Sequence, residues 1–280
     1  MTNTGTAASG FLALANQAHR FHLLASDERG DNIDAGNGEV GATEYDRETY
    51  AAGYGFRHGD SEVSIQYSHT DTGSSGTPSL PLDINFFDTD RINLAVEHQL
   101  DNVDLSLRIF STDIEHGMDN FLQRRTPDIS QLPLPPFEGD DKRLVEATAE
   151  AIGFVATATT SLGEGQLVLG ADGDDNRHDA VVLDPSFAPF FVTNFDDSER
   201  RALGIFAEWF GQLDASWSME AGARFTRIDS DSGAVDAFPA QLADRNPSTF
   251  GPGTPPFAVK RQETASTRPT GRKPTIMSMS

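Results

Sequence analysis

The chain has 280 residues, with 43 Asp plus Glu against 21 Lys plus Arg, a formal net charge of -22 and a pI near 4.5. Binding phosphate needs an excess of Lys and Arg on some face, so nucleic acid is excluded as a partner. Cysteine is absent, which removes any disulfide framework, thiolate metal site or Cys nucleophile.

The first ten residues carry no positive charge and do not read as a secretory signal. The apolar run 11–15 is far shorter than the ~20 residues of a transmembrane helix. Residues 1–18 are therefore expected to be disordered or weakly structured.

From about residue 19 to 228 apolar and polar residues alternate with period two, the signature of half-buried strands. Phe21, Leu23 and Ala25 form a weak first row, and Tyr50, Ala52, Tyr54 and Phe56 a clear second. Val63, Ile65 and Tyr67 follow, then Ile92, Leu94 and Val96, then Val103, Leu105, Leu107 and Ile109. Ile152, Phe154, Ala156 and Ala158 precede Leu167, Leu169 and Ala171. Leu203, Ile205, Ala207 and Trp209 precede Trp217, Met219, Ala221, Ala223 and Phe225. The pattern predicts about nine or ten antiparallel strands in a meander.

The connections alternate between short and long. Short ones are expected at 58–60, 101–102, 163–165 and 211–215, and long ones, rich in Asp, Pro, Gly and Ser, at 71–88, 113–148 and 174–199. A soluble all-β binding module with one buried face shares the periodicity, but it has no reason to gather its long loops at one end. A transmembrane barrel does, with short periplasmic turns, long extracellular loops and an apolar row facing lipid. Tyr50, Phe56, Tyr67, Phe110, Trp209 and Trp217 are candidates for interfacial aromatic girdles. The fold class expected is thus an all-β, antiparallel transmembrane β-barrel segment, incomplete, with long acidic loops.

The long loops are expected to hold Asp83, Asp88 and Asp90; Asp113, Glu115 and Asp119; and Asp172, Asp174, Asp175 and Asp179. Such acids would attract cations to the mouth of a barrel, or simply keep loops soluble. The run 172–176 lacks the spacing and terminal Glu of a calcium loop. His22, His58, His69, His98 and His178 have no partner at metal-ligand spacing and read as polar lumen or loop residues. His116 and Met118 differ: two residues apart in an extended segment, they point to one side of the strand. Thioether and imidazole together suit copper, Cu(I) in particular, though two ligands do not complete a site. No nucleophile–base set or phosphate loop marks an enzyme.

Three stretches carry a family resemblance: Tyr67-Ser-His-Thr-Asp-Thr-Gly-Ser-Ser-Gly-Thr-Pro-Ser-Leu-Pro-Leu-Asp-Ile84 with Asp88-Thr-Asp-Arg91, then Glu115-His-Gly-Met-Asp-Asn-Phe121, then Leu203-Gly-Ile-Phe-Ala-Glu-Trp209. They resemble the barrel of TonB-dependent outer-membrane copper receptors. The resemblance implies copper uptake at the cell outer membrane, energised by the TonB complex through a plug domain, with outer-membrane lipid around the barrel. It also implies that His116 and Met118 are the barrel half of a copper site whose other half, a Cys and a Met, belongs to the plug. A siderophore receptor of the same fold is the alternative within the family.

The chain departs from that family in having no signal peptide, TonB box or plug-like region and too few strands, where plugged transporters need about 22. It is therefore read as a barrel fragment at 19–250, lacking C-terminal strands. From Lys260 the sequence becomes basic, with Lys260, Arg261, Arg268, Arg272 and Lys273 against Glu263 alone. Residues 251–280 are expected to be a disordered tail, and a shifted reading frame is one hypothesis for it.

Overall fold

The computed structural model describes residues 4–126, 141–187, 190–214 and 216–234, together with the backbone of 262–266. Every described element is a strand. Eleven strands form one antiparallel sheet in simple chain order: β1 (Gly5–Ala15), β2 (His19–Gly30), β5 (Tyr45–His58), β6 (Ser61–Thr72), β7 (Asp83–Leu100), β8 (Val103–Asp119), β9 (Leu144–Leu162), β10 (Gly165–Leu183), β11 (Phe191–Gln212), β12 (Ser218–Asp231) and β13 (Gln262–Ser266). A separate hairpin of β3 (Ile33–Ala35) and β4 (Gly38–Val40) sits in the β2–β5 connection. Among the described residues the sheet is a meander that does not close on itself.

The count exceeds the expected nine or ten because of its two ends. Residues 5–15, expected to be weakly structured, form β1, paired with β2 from Gly5↔Gly30 to Ala15↔Arg20. Small residues such as Ala7, Ala8, Ser9 and Gly10 occupy both faces, so polarity does not alternate there and the backbone ladder alone makes the strand. Within the tail expected to be disordered, β13 pairs with β12 from Ile228↔Gln262 to Arg224↔Ser266. The rest of 251–280 lies outside the described residues.

The predicted turns hold with small shifts. Gly59 (φ 55°) and Gly163 (φ 62°) adopt the left-handed conformation that glycine tolerates without strain, and Asp101 (φ 36°) does so at the β7–β8 turn. The β11–β12 link falls at 213–217 instead of 211–215, because β11 runs on to Gln212.

Register aligns the apolar residues into continuous rows. Leu14, Phe21, Tyr54, Ile65, Leu94, Ile109, Phe154, Gly173 and Leu203 are direct neighbours across nine strands. The row one residue away on the other face reads Arg20, Gly55, Ser64, Ala95, Arg108, Val155, Asp172, Gly204 and Thr226. A sheet with one apolar and one polar face and, among the described residues, no second layer over either fits the wall of a membrane barrel with lipid outside and a polar lumen inside. Phe110 lies on the polar face opposite Asn93 and Gly153, so it is no girdle residue. Tyr50, Phe56, Tyr67 and Trp209 lie on the apolar face as expected, whereas Trp217 sits in a turn.

The few buried side chains gather at the end of the sheet that carries the long connections. They include Ala42, Thr72, Ser75, Asp83, Thr89, Asp119, Asn120, Ala180, Asp184, Phe190 and Val192. We call this end the crown. There Gly76 packs so closely on the backbone of Ala42 that a side chain would collide, and its N–H donates to the Glu44 carbonyl at 2.7 Å.

Candidate metal site and its surroundings

The acidic residues are not where the sequence suggested. All ten expected in loops lie within strands: Asp83, Asp88 and Asp90 in β7, Asp113, Glu115 and Asp119 in β8, and Asp172, Asp174, Asp175 and Asp179 in β10. Strands of 17–22 residues in β7–β11 are longer than the ~10 a bilayer requires, so their upper thirds project beyond it. One cross-strand row reads Asp27, Glu48, Asp71, Asp88, Glu115, Thr148 and Asp179. By parity it lies on the apolar face, about 20 Å along β7 from Leu94 and so past the hydrocarbon. The charge therefore coats the outside of the wall and does not line its mouth. Inward-facing acids are paired: Asp172 accepts two bonds of 2.6 Å from Arg224, and Asp174 lies 3.3 Å from Arg200.

His116 and Met118 stand on the polar face near the end of β8, where β8 enters the crown. His116 pairs with Phe87 and Ala147, and Met118 with Ile84 and Val145. The imidazole lies against the Phe87 ring, 4.7 Å between centroids and tilted by 52°. Its Nε2 is buried and has no hydrogen-bond partner. Between the two candidates Gly117 faces the other way, and the Phe86 ring fills the place a side chain would take. A bulge between Ile84 and Phe86 allows both phenyl rings to grip the segment, one on each face. The cavity of about 250 Å³ beside His116 is lined mainly by residues of the outward face, among them Phe86, Glu115, Thr148 and Asp179, and is not the space these two ligands share.

Of the remaining histidines, His69 Nδ1 lies 3.1 Å from Asp90 and His98 Nδ1 lies 2.8 Å from Ser61 Oγ. His22 lies over Gly53 on the polar face, above a lumenal groove of about 480 Å³ formed with Arg20, Gln66, Asn93 and Arg108. Among the described residues no group of three or more His, Cys, Asp or Glu could hold a metal ion. His116 and Met118 are brought to one face by their strand.

Directly beyond Met118 is a cluster that sequence reasoning missed. Asp83 and Asp119 are cross-strand partners, 1% and 0% exposed. Arg124 grips Asp83 with Nε at 2.6 Å and a second bond from its Nη2, and donates to the carbonyls of Leu80 at 2.6 Å and Thr77 at 3.1 Å. The Thr77 N–H donates to Asp83 at 2.7 Å. Asp119 Oδ1 accepts the N–H groups of Phe121 and Leu122, while its Oδ2 is buried without a partner. Gln123 reaches Ser74 Oγ at 2.7 Å and the Ile84 carbonyl at 3.4 Å. Asp83 lies outside the lipid-spanning rows. Burial alone would raise its carboxyl, but the bonds from Arg124 and Thr77 outweigh that and hold it below the usual aspartate range. No local pattern flags Arg124, whose carboxylate partner is 41 residues away.

The profile of the TonB dependent receptor-like β-barrel matches residues 6–255. The chain belongs to that family. Its members are outer-membrane β-barrels that act as receptors and transporters, not as enzymes. No curated protein sequence matches the chain. Among solved structures, the copper transporter OprC is similar with a TM-score of 0.65 and 17% identity, over 82% of this chain and 38% of its own. A chain of the FpvAI–pyocin S2 complex is similar with a TM-score of 0.53 and 11% identity, over 83% and 38%. The ferric-catecholate import receptor Fiu from E. coli K12, in its open form, is similar with a TM-score of 0.52 and 12% identity, over 95% and 48%. These likenesses establish the barrel fold, and the chain spans under half the length of each structure.

Proposed function

We propose that this family member forms part of the wall of an outer-membrane receptor for copper uptake, with His116 and Met118 as the wall's contribution to the copper site. The observation that carries the reading is the buried, unpartnered Nε2 of His116 on the lumenal face, one alternate position from a thioether. Leaving a buried polar atom unsatisfied costs about 1–3 kcal/mol, and a metal is a natural missing partner for an imidazole nitrogen. Met118 makes that metal a soft one, Cu(I) above zinc or iron. The remaining ligands would come from a plug region within the lumen, and the TonB complex would act through that region. The apolar rows would face the lipid of the outer membrane.

A second reading is favoured by the similarity to Fiu, which extends over 95% of the chain: a receptor for a ferric chelate, with His116 and Met118 incidental. Cu(I) titration of the folded chain, with and without His116→Ala and Met118→Ala together, separates the two. Loss of stoichiometric Cu(I) binding in the double variant supports the copper site. Equal binding in both proteins rejects it and leaves the chelate reading.

A further inference from the structure

The Asp83–Arg124 pair does more than close two loops. It sits at the point where β7 and β8 present the candidate ligands: Asp83 is cross-strand from Asp119, which follows Met118 directly, and Ile84 is cross-strand from Met118. Four donor contacts from one guanidinium, to Asp83, Leu80 and Thr77, tie the 73–82 connection to the start of β7 and to the 120–126 segment. Ile84 is itself fixed by a bridge to Ser75, with N–H···O bonds of 2.9 Å in both directions, and by Gln123. Asp119 then anchors the chain as it leaves β8, through the N–H groups of Phe121 and Leu122.

We infer that Asp83 and Arg124 are positioning residues that hold the 116–118 segment in one geometry before any metal arrives. The physical reason is preorganisation. An extended segment at the end of a long strand frays unless its last ladder bonds are secured. Two ligands on it meet a metal well only if their backbone is already fixed. A buried, forked guanidinium–carboxylate pair is directional in a way that an apolar contact is not. The Phe87 ring fixes the imidazole plane, and the pair fixes the strand that carries it.

This inference rests on the copper reading for its affinity readout but not for its structural one. The test uses the full chain folded in detergent, with Arg124→Ala, Asp83→Asn and the conservative Arg124→Lys. Two quantities are measured in each: hydrogen exchange at the amides of residues 116–119 without metal, and Cu(I) affinity by competition with a chromophoric chelator. Arg124→Ala and Asp83→Asn are expected to speed exchange at 116–119 and to weaken Cu(I) binding about 10–100-fold, the scale of lost supporting contacts around a metal. Arg124→Lys, which keeps the charge and loses the fork, is expected to fall between. Faster exchange in the variants while the unaltered chain binds no Cu(I) would sink the copper reading and leave the positioning role standing. Unchanged exchange, or faster exchange with unchanged Cu(I) affinity, would overturn the positioning role itself. Should Arg124→Ala fail to fold, Asp83→Asn and Arg124→Lys carry the same comparison.

Discussion

The wall and the crown of this protein are held by different physics. In the wall, the strands are one layer thick, and large apolar side chains such as Leu94, Ile109 and Leu203 are half-buried or exposed. The backbone ladder secures the strands to one another, and lipid stands where a protein core would otherwise be. In the crown the order is reversed. Its buried residues are mostly polar, and they are secured by directional bonds among Asp83, Arg124, Asn120, Arg143 and Asp184. The wall thus takes its tolerance from non-directional contact with lipid, whereas the crown depends on each polar group finding its own partner.

This contrast predicts where substitutions will hurt. The largest effect is expected in the crown for Arg143→Ala. Arg143 lies 3.3 Å from Asp184, which is 8% exposed, and its guanidinium stacks 3.9 Å from the Phe190 ring. Removing it leaves a buried carboxylate without its cation, the Ser186 N–H at 2.8 Å remaining as a partner, at a cost of about 3–5 kcal/mol. Hydrogen exchange should rise at 184–187 and 190–192 while the lower half of β9 stays protected. Equal loosening of both regions would mean that wall and crown unfold as one unit.

Leu94→Arg comes next, placing a charge at the middle of the apolar row for about 2–4 kcal/mol in lipid vesicles. Its neighbour Asn93, on the polar face, should accept Arg with little change. Similar urea midpoints for the two variants would contradict the assignment of faces.

The smallest effect is the pH dependence of the crown. Asp83 has its carboxyl held below the ordinary range in the folded state, so its contribution is complete at neutral pH. That contribution is lost as pH falls through the depressed value. Crown protection should therefore decline in acid in the unaltered chain. In Asp83→Asn it should already be reduced and should respond less to acid.

The sequence reading and the family match agree on a TonB-dependent receptor barrel, yet the sequence and the structure placed the charge differently. Asp88, Asp90, Asp113 and Glu115 read as loop residues because polar runs look like loops in sequence. In the fold they extend the strands above the membrane, where both faces meet water and alternation of polarity no longer marks a strand. A different cause hid β1, whose small residues leave the two faces alike.

By itself, the sequence determined the antiparallel meander, the lipid-facing rows and the shared face of His116 and Met118. All of these follow from period-two geometry, which is local to each strand. Only the tertiary structure decided what surrounds that pair. The grip of Phe86 and Phe87, the unpartnered Nε2 and the Asp83–Arg124 clamp depend on register between strands and on contacts up to 47 residues apart. Such contacts leave no periodic trace along the chain, because what selects them is burial of polar groups in three dimensions.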